Sequence, residues 1–73
     1  MKTLCFDIEL RRMATLPRLL LLTTRLGGEV RSIHAADGKL ELTIDAPEVA
    51  AHRFGPQLER IIDVVSLQQR DSE

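Results

Sequence analysis

The sequence predicts an α+β sandwich of two layers, a four-stranded antiparallel sheet with two helices on one face. Three observations carry this. Two segments alternate apolar and polar residues, a leucine-rich segment repeats at helical spacing, and an Asp-Gly pair marks a tight hairpin. Strands with one apolar and one polar face bury only on one side, so the helices must share that side.

The first strand is Lys2 to Leu10. Leu4, Phe6, Ile8 and Leu10 point one way, and Thr3, Cys5, Asp7 and Glu9 the other. After Arg11 to Ala14, the stretch Thr15 to Val30 reads TLPRLLLLTTRLGGEV. Thr15 is expected to cap a helix through its side chain, and Pro17 is tolerated in the first turn, where the N–H groups lack intrahelical partners. Leu16, Leu19, Leu20, Thr23 and Leu26 share one face at helical spacing. Arg25 favours the negative end of the helix dipole, and Gly27 suits the left-handed residue that ends the helix. Leu21 and Leu22 widen the apolar surface, which implies deep burial or a second subunit.

Glu29 to Ala36 is a second strand with broken alternation. Val30 and Ile33 are three apart, which calls for a bulge or for apolar residues on both faces. Asp37–Gly38 supplies the positive φ angles of a two-residue turn. Lys39 to Asp45 then alternates again, with Leu40, Leu42 and Ile44 inward. Ala46–Pro47–Glu48 is expected to open the second helix, whose apolar face is Val49, Phe54, Leu58 and Ile61 or Ile62. Gly55–Pro56 predicts a kink or a break into the arms Val49–Phe54 and Gln57–Ile61. Asp63 to Gln69 reads as the last strand, with Val65 and Leu67 inward. The polar residues 70–73 are expected to fray.

The order is β-α-β-β-α-β. Right-handed crossovers put the first and third strands in the centre and the second and fourth at the edges, the ferredoxin-like arrangement.

With 73 residues there is room for one domain, spanning 1–73 with its core over 3–69. So short a chain buries roughly 60% of its unfolded surface and often gains stability by oligomerising. A net charge of −1 gives no footprint for nucleic acid or an anionic membrane. Without Trp or Tyr there is no stacking platform for single strands. One cysteine excludes an intrachain disulfide and suits a reducing cytoplasm, and no apolar run is long enough for a signal peptide or a membrane span.

Catalytic patterns are thin. Asp7 and Glu9 share the wet face of a strand, with nothing apolar around them to shift a pKa. His34 and His52 sit on different elements, whereas a metal site needs three or four converging ligands. Cys5 has no neighbouring histidine to activate it. No nucleophile elbow or phosphate-binding loop occurs, because Gly27–Gly28 follows a helix rather than a strand. The reading is a non-enzyme with no metal or cofactor. Ferredoxin-like domains that carry copper need a Cys-x-x-Cys where this chain has RRMA. Those that bind RNA need aromatics where it has Thr3, Cys5, Lys39 and Glu41.

The leucine helix followed by RLGGEVRSI at Arg25–Ile33, together with QLERIIDVVSL at Gln57–Leu67, resembles the ACT domain, a sensing module of amino-acid metabolism. The similarity spans roughly Leu4 to Gln68. In length and spacing the chain resembles the short regulatory subunits of acetolactate synthase (acetohydroxyacid synthase), isozyme II type. That resemblance implies a homodimer through the second strand and first helix; the surplus apolar surface puts Leu21 and Leu22 at the interface, with Arg31 and Ile33 on the second strand. It implies an effector pocket of Arg12, Met13, Ala14, Thr15 and Leu16, with Gly28, Glu29 and Val30 across it. It also implies a partner, the thiamine-diphosphate-dependent catalytic subunit of branched-chain amino-acid biosynthesis. Effector-binding members usually carry a small polar residue and often Pro–Gly where this chain has Arg12, Met13 and Ala14, so the resemblance points to activation more than to valine feedback. The alternative is a free-standing ACT dimer that senses an amino acid or other small molecule for another pathway.

Overall fold

The computed structural model describes residues 1–71. Strand β1 (Lys2–Leu10) leads through a 3-10 turn (Met13–Thr15) into helix α1 (Leu16–Arg25). Strands β2 (Glu29–Ala36) and β3 (Lys39–Ala46) form a hairpin, followed by helix α2 (Ala51–Glu59) and strand β4 (Val64–Asp71). The sheet order is β2-β3-β1-β4, every neighbouring pair being antiparallel. The two cleanly alternating strands therefore lie in the centre, as their pattern requires. This is the ferredoxin-like α+β fold.

The core is the inward row of each central strand closed by the helices. Leu4, Phe6 and Ile8 from β1, and Leu40, Leu42 and Ile44 from β3, meet Leu19 of α1 with Phe54 and Leu58 of α2. Their polar alternates, Thr3 to Glu9 and Lys39 to Asp45, line the open face of the sheet.

The β2–β3 turn has Asp37 at φ 54° and Gly38 at φ 78°, positive at both central positions as a primed turn demands. The broken alternation of β2 is a bulge. Val30 stands opposite Ile44 and Ile33 opposite Leu42, with Arg31 as the extra residue between them. Directly opposed residues share a face, so the bulge brings both Val30 and Ile33 to the helix side despite their three-residue spacing.

A second bulge corrects the expectation for the last strand. The register shifts between Glu9 and Leu10, whose partners are Ser66 and Val64, so Val65 is the extra residue. Val64 and Leu67 pack on the core, while Val65 is 53% exposed. The strand also starts one residue later than expected and runs to Asp71. Of the residues expected to fray, Arg70 and Asp71 belong to β4; Ser72 and Glu73 lie outside the described residues.

The second helix begins later than Pro47. Pro47 to Ala50 form a turn closed by Ala50 N–H donating to the Pro47 carbonyl at 3.0 Å, and Val49 is 84% exposed instead of facing inward. Nor does Gly55–Pro56 break the helix, which is continuous from Ala51 to Glu59 with Pro56 inside it. Residues 52 and 56 are both exposed, so water can reach the His52 carbonyl that Pro56 leaves without a donor. Gly55 faces the sheet, where an added Cβ would stand 3.4 Å from Gln69 Oε1 and 3.7 Å from the Phe6 ring. Helix and sheet are close because that position carries no side chain.

Candidate functional site

The connection from Arg11 to Leu16 is held from two sides. Arg11 N–H donates to the Asp63 carbonyl at 2.8 Å, and Leu10 N–H donates to the Gly38 carbonyl at 2.7 Å. Thr15 does not cap α1. Its φ of −78° and ψ of −16° are already helical, since the 3-10 turn runs straight into the helix. Its buried hydroxyl instead donates to Asp63 Oδ2 at 2.7 Å, tying the start of α1 to the segment between α2 and β4. Nothing in the sequence announces a contact across 48 positions. Arg12 is exposed, Met13 and Leu16 are half-buried against the core, and Ala14 is exposed.

Gly28, Glu29 and Val30 lie at the other end of the same sheet. Glu29 pairs with Asp45, which pairs with Thr3 at the start of β1, whereas Arg11 follows the end of β1. Helix α1 separates the two sets by its ten residues, about 15 Å. One chain therefore does not bring the two halves of the expected pocket together. Gly27, at φ 89°, ends α1 as expected, and Gly28 is buried against the Phe54 ring, leaving Glu29 and Val30 as the exposed members.

Of the expected interface residues, Arg31 and Ile33 lie on the β2 edge. Arg31 Nη1 donates to Asp45 Oδ2 at 2.8 Å, and Thr3 Oγ1 donates to Asp45 Oδ1 at 2.8 Å. These two bonds hold the Asp45 carboxyl below the usual carboxylate range, the Arg31 hydrogen bond being the larger cause. Asp45 thus joins β2, β3 and β1 on the open face. Leu22 is half-buried against the core, but Leu21 is 53% exposed on the outer side of α1. A partner reaching Leu21 approaches over the helix layer rather than along the sheet edge.

The open face also holds a hollow of about 830 Å³ lined by Asp7, Glu9, His34, Lys39, Glu41 and Ser66, among others. Arg70 spans its acidic groups, with Nε 2.7 Å from Asp7 Oδ2 and Nη2 3.5 Å from Glu41 Oε2. The period-two run Ser66, Gln68, Arg70 is the sequence signal for that role, hidden by reading the tail as frayed. Cys5 Sγ lies 3.7 Å from Thr43 Oγ1 on this face, and His52 is on the helix layer, away from His34. Among the described residues, no three His, Cys, Asp or Glu side chains converge as metal ligands.

The fold is shared with solved structures of other proteins. The C-terminal domain of the MgtC protein from Mycobacterium tuberculosis has a similar structure, with a TM-score of 0.63 and 17% sequence identity over 100% of this chain and 89% of that one. At that identity the likeness concerns the fold. No protein-family model and no curated protein matches the chain. Among the described residues, no helix is long and apolar enough to cross a membrane.

Proposed function

We propose that the chain is a non-catalytic regulatory domain of ACT type that pairs through its β2 edge and activates the catalytic subunit of acetolactate synthase. The observation that supports this is the separation of the two pocket halves. Arg12 to Leu16 follow the far end of β1, and Gly28 to Val30 lie at the opposite end of the sheet, at the start of the edge strand β2. An exposed edge is a template for sheet extension. Antiparallel pairing of two β2 edges about a two-fold axis would set the partner's Gly28, Glu29 and Val30 beside Arg12 and the first turn of α1. The first-turn N–H groups and Arg12 together suit a carboxylate. Ser32 to Ala36, beyond the bulge at Arg31, is the regular run available for pairing, with Ile33 within it. Chemistry then comes from the partner, to which this domain contributes binding.

Mixing the chain with the acetolactate synthase catalytic subunit of the same genome tests the reading. A faster-sedimenting complex with raised synthase activity is expected; unchanged sedimentation and activity would refute it. Arg12 beside the first turn of α1 also suits the second reading, a free-standing dimer that senses an amino acid. Amide NMR titration with valine, leucine and isoleucine separates the two. Saturable shifts at residues 12–16 and 28–30 without any effect on the synthase favour the sensor.

A further inference from the structure

The segment from Leu10 to Gly28 holds four arginines and no acidic residue. Three of them, Arg11, Arg12 and Arg18, stand at or before the first turn of α1, the positive end of the helix dipole, where acidic residues are favoured and none occurs. That placement works against the helix itself, so the sequence of α1 here is not explained by helix stability. No ion pair among the described residues engages these arginines: the pairs formed involve only Arg31 and Arg70.

The geometry of α1 sorts them further. At about 100° per residue, Leu21 lies about 180° from the line through the buried Leu19 and Thr23, with Arg18 and Arg25 within about 60° of it. The crest of α1 is therefore an exposed leucine flanked by two cations about 10.5 Å apart along the axis. It points away from the sheet, so pairing at the β2 edge leaves it uncovered.

We propose that this crest docks an acidic amphipathic helix of a protein partner, with an apolar residue against Leu21 and carboxylates two turns apart meeting Arg18 and Arg25. Arginine is suited to such contacts through bidentate hydrogen bonding to carboxylates. A lipid surface fits less well. One exposed leucine without aromatic neighbours offers little area to bury in a bilayer, and the net charge of the chain is −1. The inference rests on the proposed function in one respect: that reading supplies the catalytic subunit as the partner.

The test uses the full-length labelled chain, the catalytic subunit, and the variants R18E/R25E and R18K/R25K. Amide shifts on α1 centred on Leu21 are expected on binding, with at least a tenfold weaker affinity for R18E/R25E and a smaller loss for R18K/R25K. That difference should shrink in high salt. Binding that R18E/R25E leaves unchanged, with the variant's spectrum still dispersed, overturns the crest while sparing the proposed function. If the catalytic subunit does not bind the wild type, the proposed function fails, and a synthetic helix with glutamates at i and i+7 around a leucine becomes the probe. Saturable shifts at Arg18, Leu21 and Arg25 then support the surface with a different partner, and none at millimolar peptide overturns it. Vesicles with anionic headgroups complete the set; binding to them in preference to the peptide overturns the assignment to a protein.

Discussion

Strands β2 and β3 are the two arms of one hairpin, eight residues each, yet β3 buries four side chains and β2 none. The difference is position. β3 has a strand on each side and its whole inward row in the core, whereas β2 has one neighbour, a bulge at Arg31 and an open outer edge. Alternation in a sequence thus records more than strand geometry. It records how much of the strand is covered, because a strict inward row is required only where every inward position meets the core.

Deleting one apolar side chain from each arm should therefore have unequal effects. Leu42→Ala should cost about 2 to 5 kcal/mol, the range for emptying a packed leucine site. Val30→Ala, on the same face but 39% exposed, should cost below about 1 kcal/mol. Urea unfolding measures both. Equal losses would mean that Val30 is covered in solution.

Just before β2 the chain meets the core closely. A Cβ added at Gly28 would stand 2.8 Å from Phe54 Cε2 and 3.2 Å from Thr23 Cγ2, and Phe54 is fully buried with Phe6 among its core neighbours. Gly28→Ala should therefore lose about 1 to 3 kcal/mol through overpacking. Gly27→Ala should lose about 1 kcal/mol for a different reason, the positive φ, since its Cβ meets only Pro47 at 3.7 Å. Thermal unfolding resolves the order, and a larger loss at Gly27 would show that conformation rather than crowding fixes this corner.

These particulars show what could be read from the residues. The inward rows of β1 and β3, the Asp37–Gly38 turn, the end of α1 at Gly27 and the bulge in β2 all follow from local pattern, which is why the topology is legible. Three features are not. Val65 looks inward by alternation until the bulge opposite Glu9 and Leu10 shifts the register. Pro47 and Pro56 look like helix start and helix breaker, yet the helix starts after one and runs through the other. Thr15 looks like a cap, but a hydroxyl within reach of a distant carboxylate has a partner that only the fold supplies. The candidate site is less legible still, because its halves lie at opposite ends of the sheet.

The Thr15–Asp63 bond belongs to the covered region and should behave so. Thr15→Val keeps the shape and removes the donor, leaving a half-buried carboxylate without it; the loss should be about 1.5 to 3 kcal/mol, the range for hydrogen bonds to charged groups. Pairing Thr15→Val with Asp63→Asn in a double-mutant cycle gives the coupling. Additive losses would show that the two side chains act independently.

The smallest effect belongs to the contact that ties the bulged edge to the centre of the sheet, Asp45 of β3 bonded by Arg31 and Thr3. Because its pKa is lowered in the folded chain, the charged form is favoured by folding. The resulting stability is fully present above the unfolded pKa of about 3.9, declines as pH falls through the folded value, and is absent below it. The gap in Tm between wild type and Asp45→Asn should accordingly be constant near neutral pH and close as the solution is acidified below about 4. Arg31 is 64% exposed, so salt should narrow the same gap. The loss from Leu42→Ala, which involves no ionisable group, should stay level across the same pH range. If the Asp45 gap persisted into strong acid, packing rather than charge would be what holds the bulged edge to the centre of the sheet.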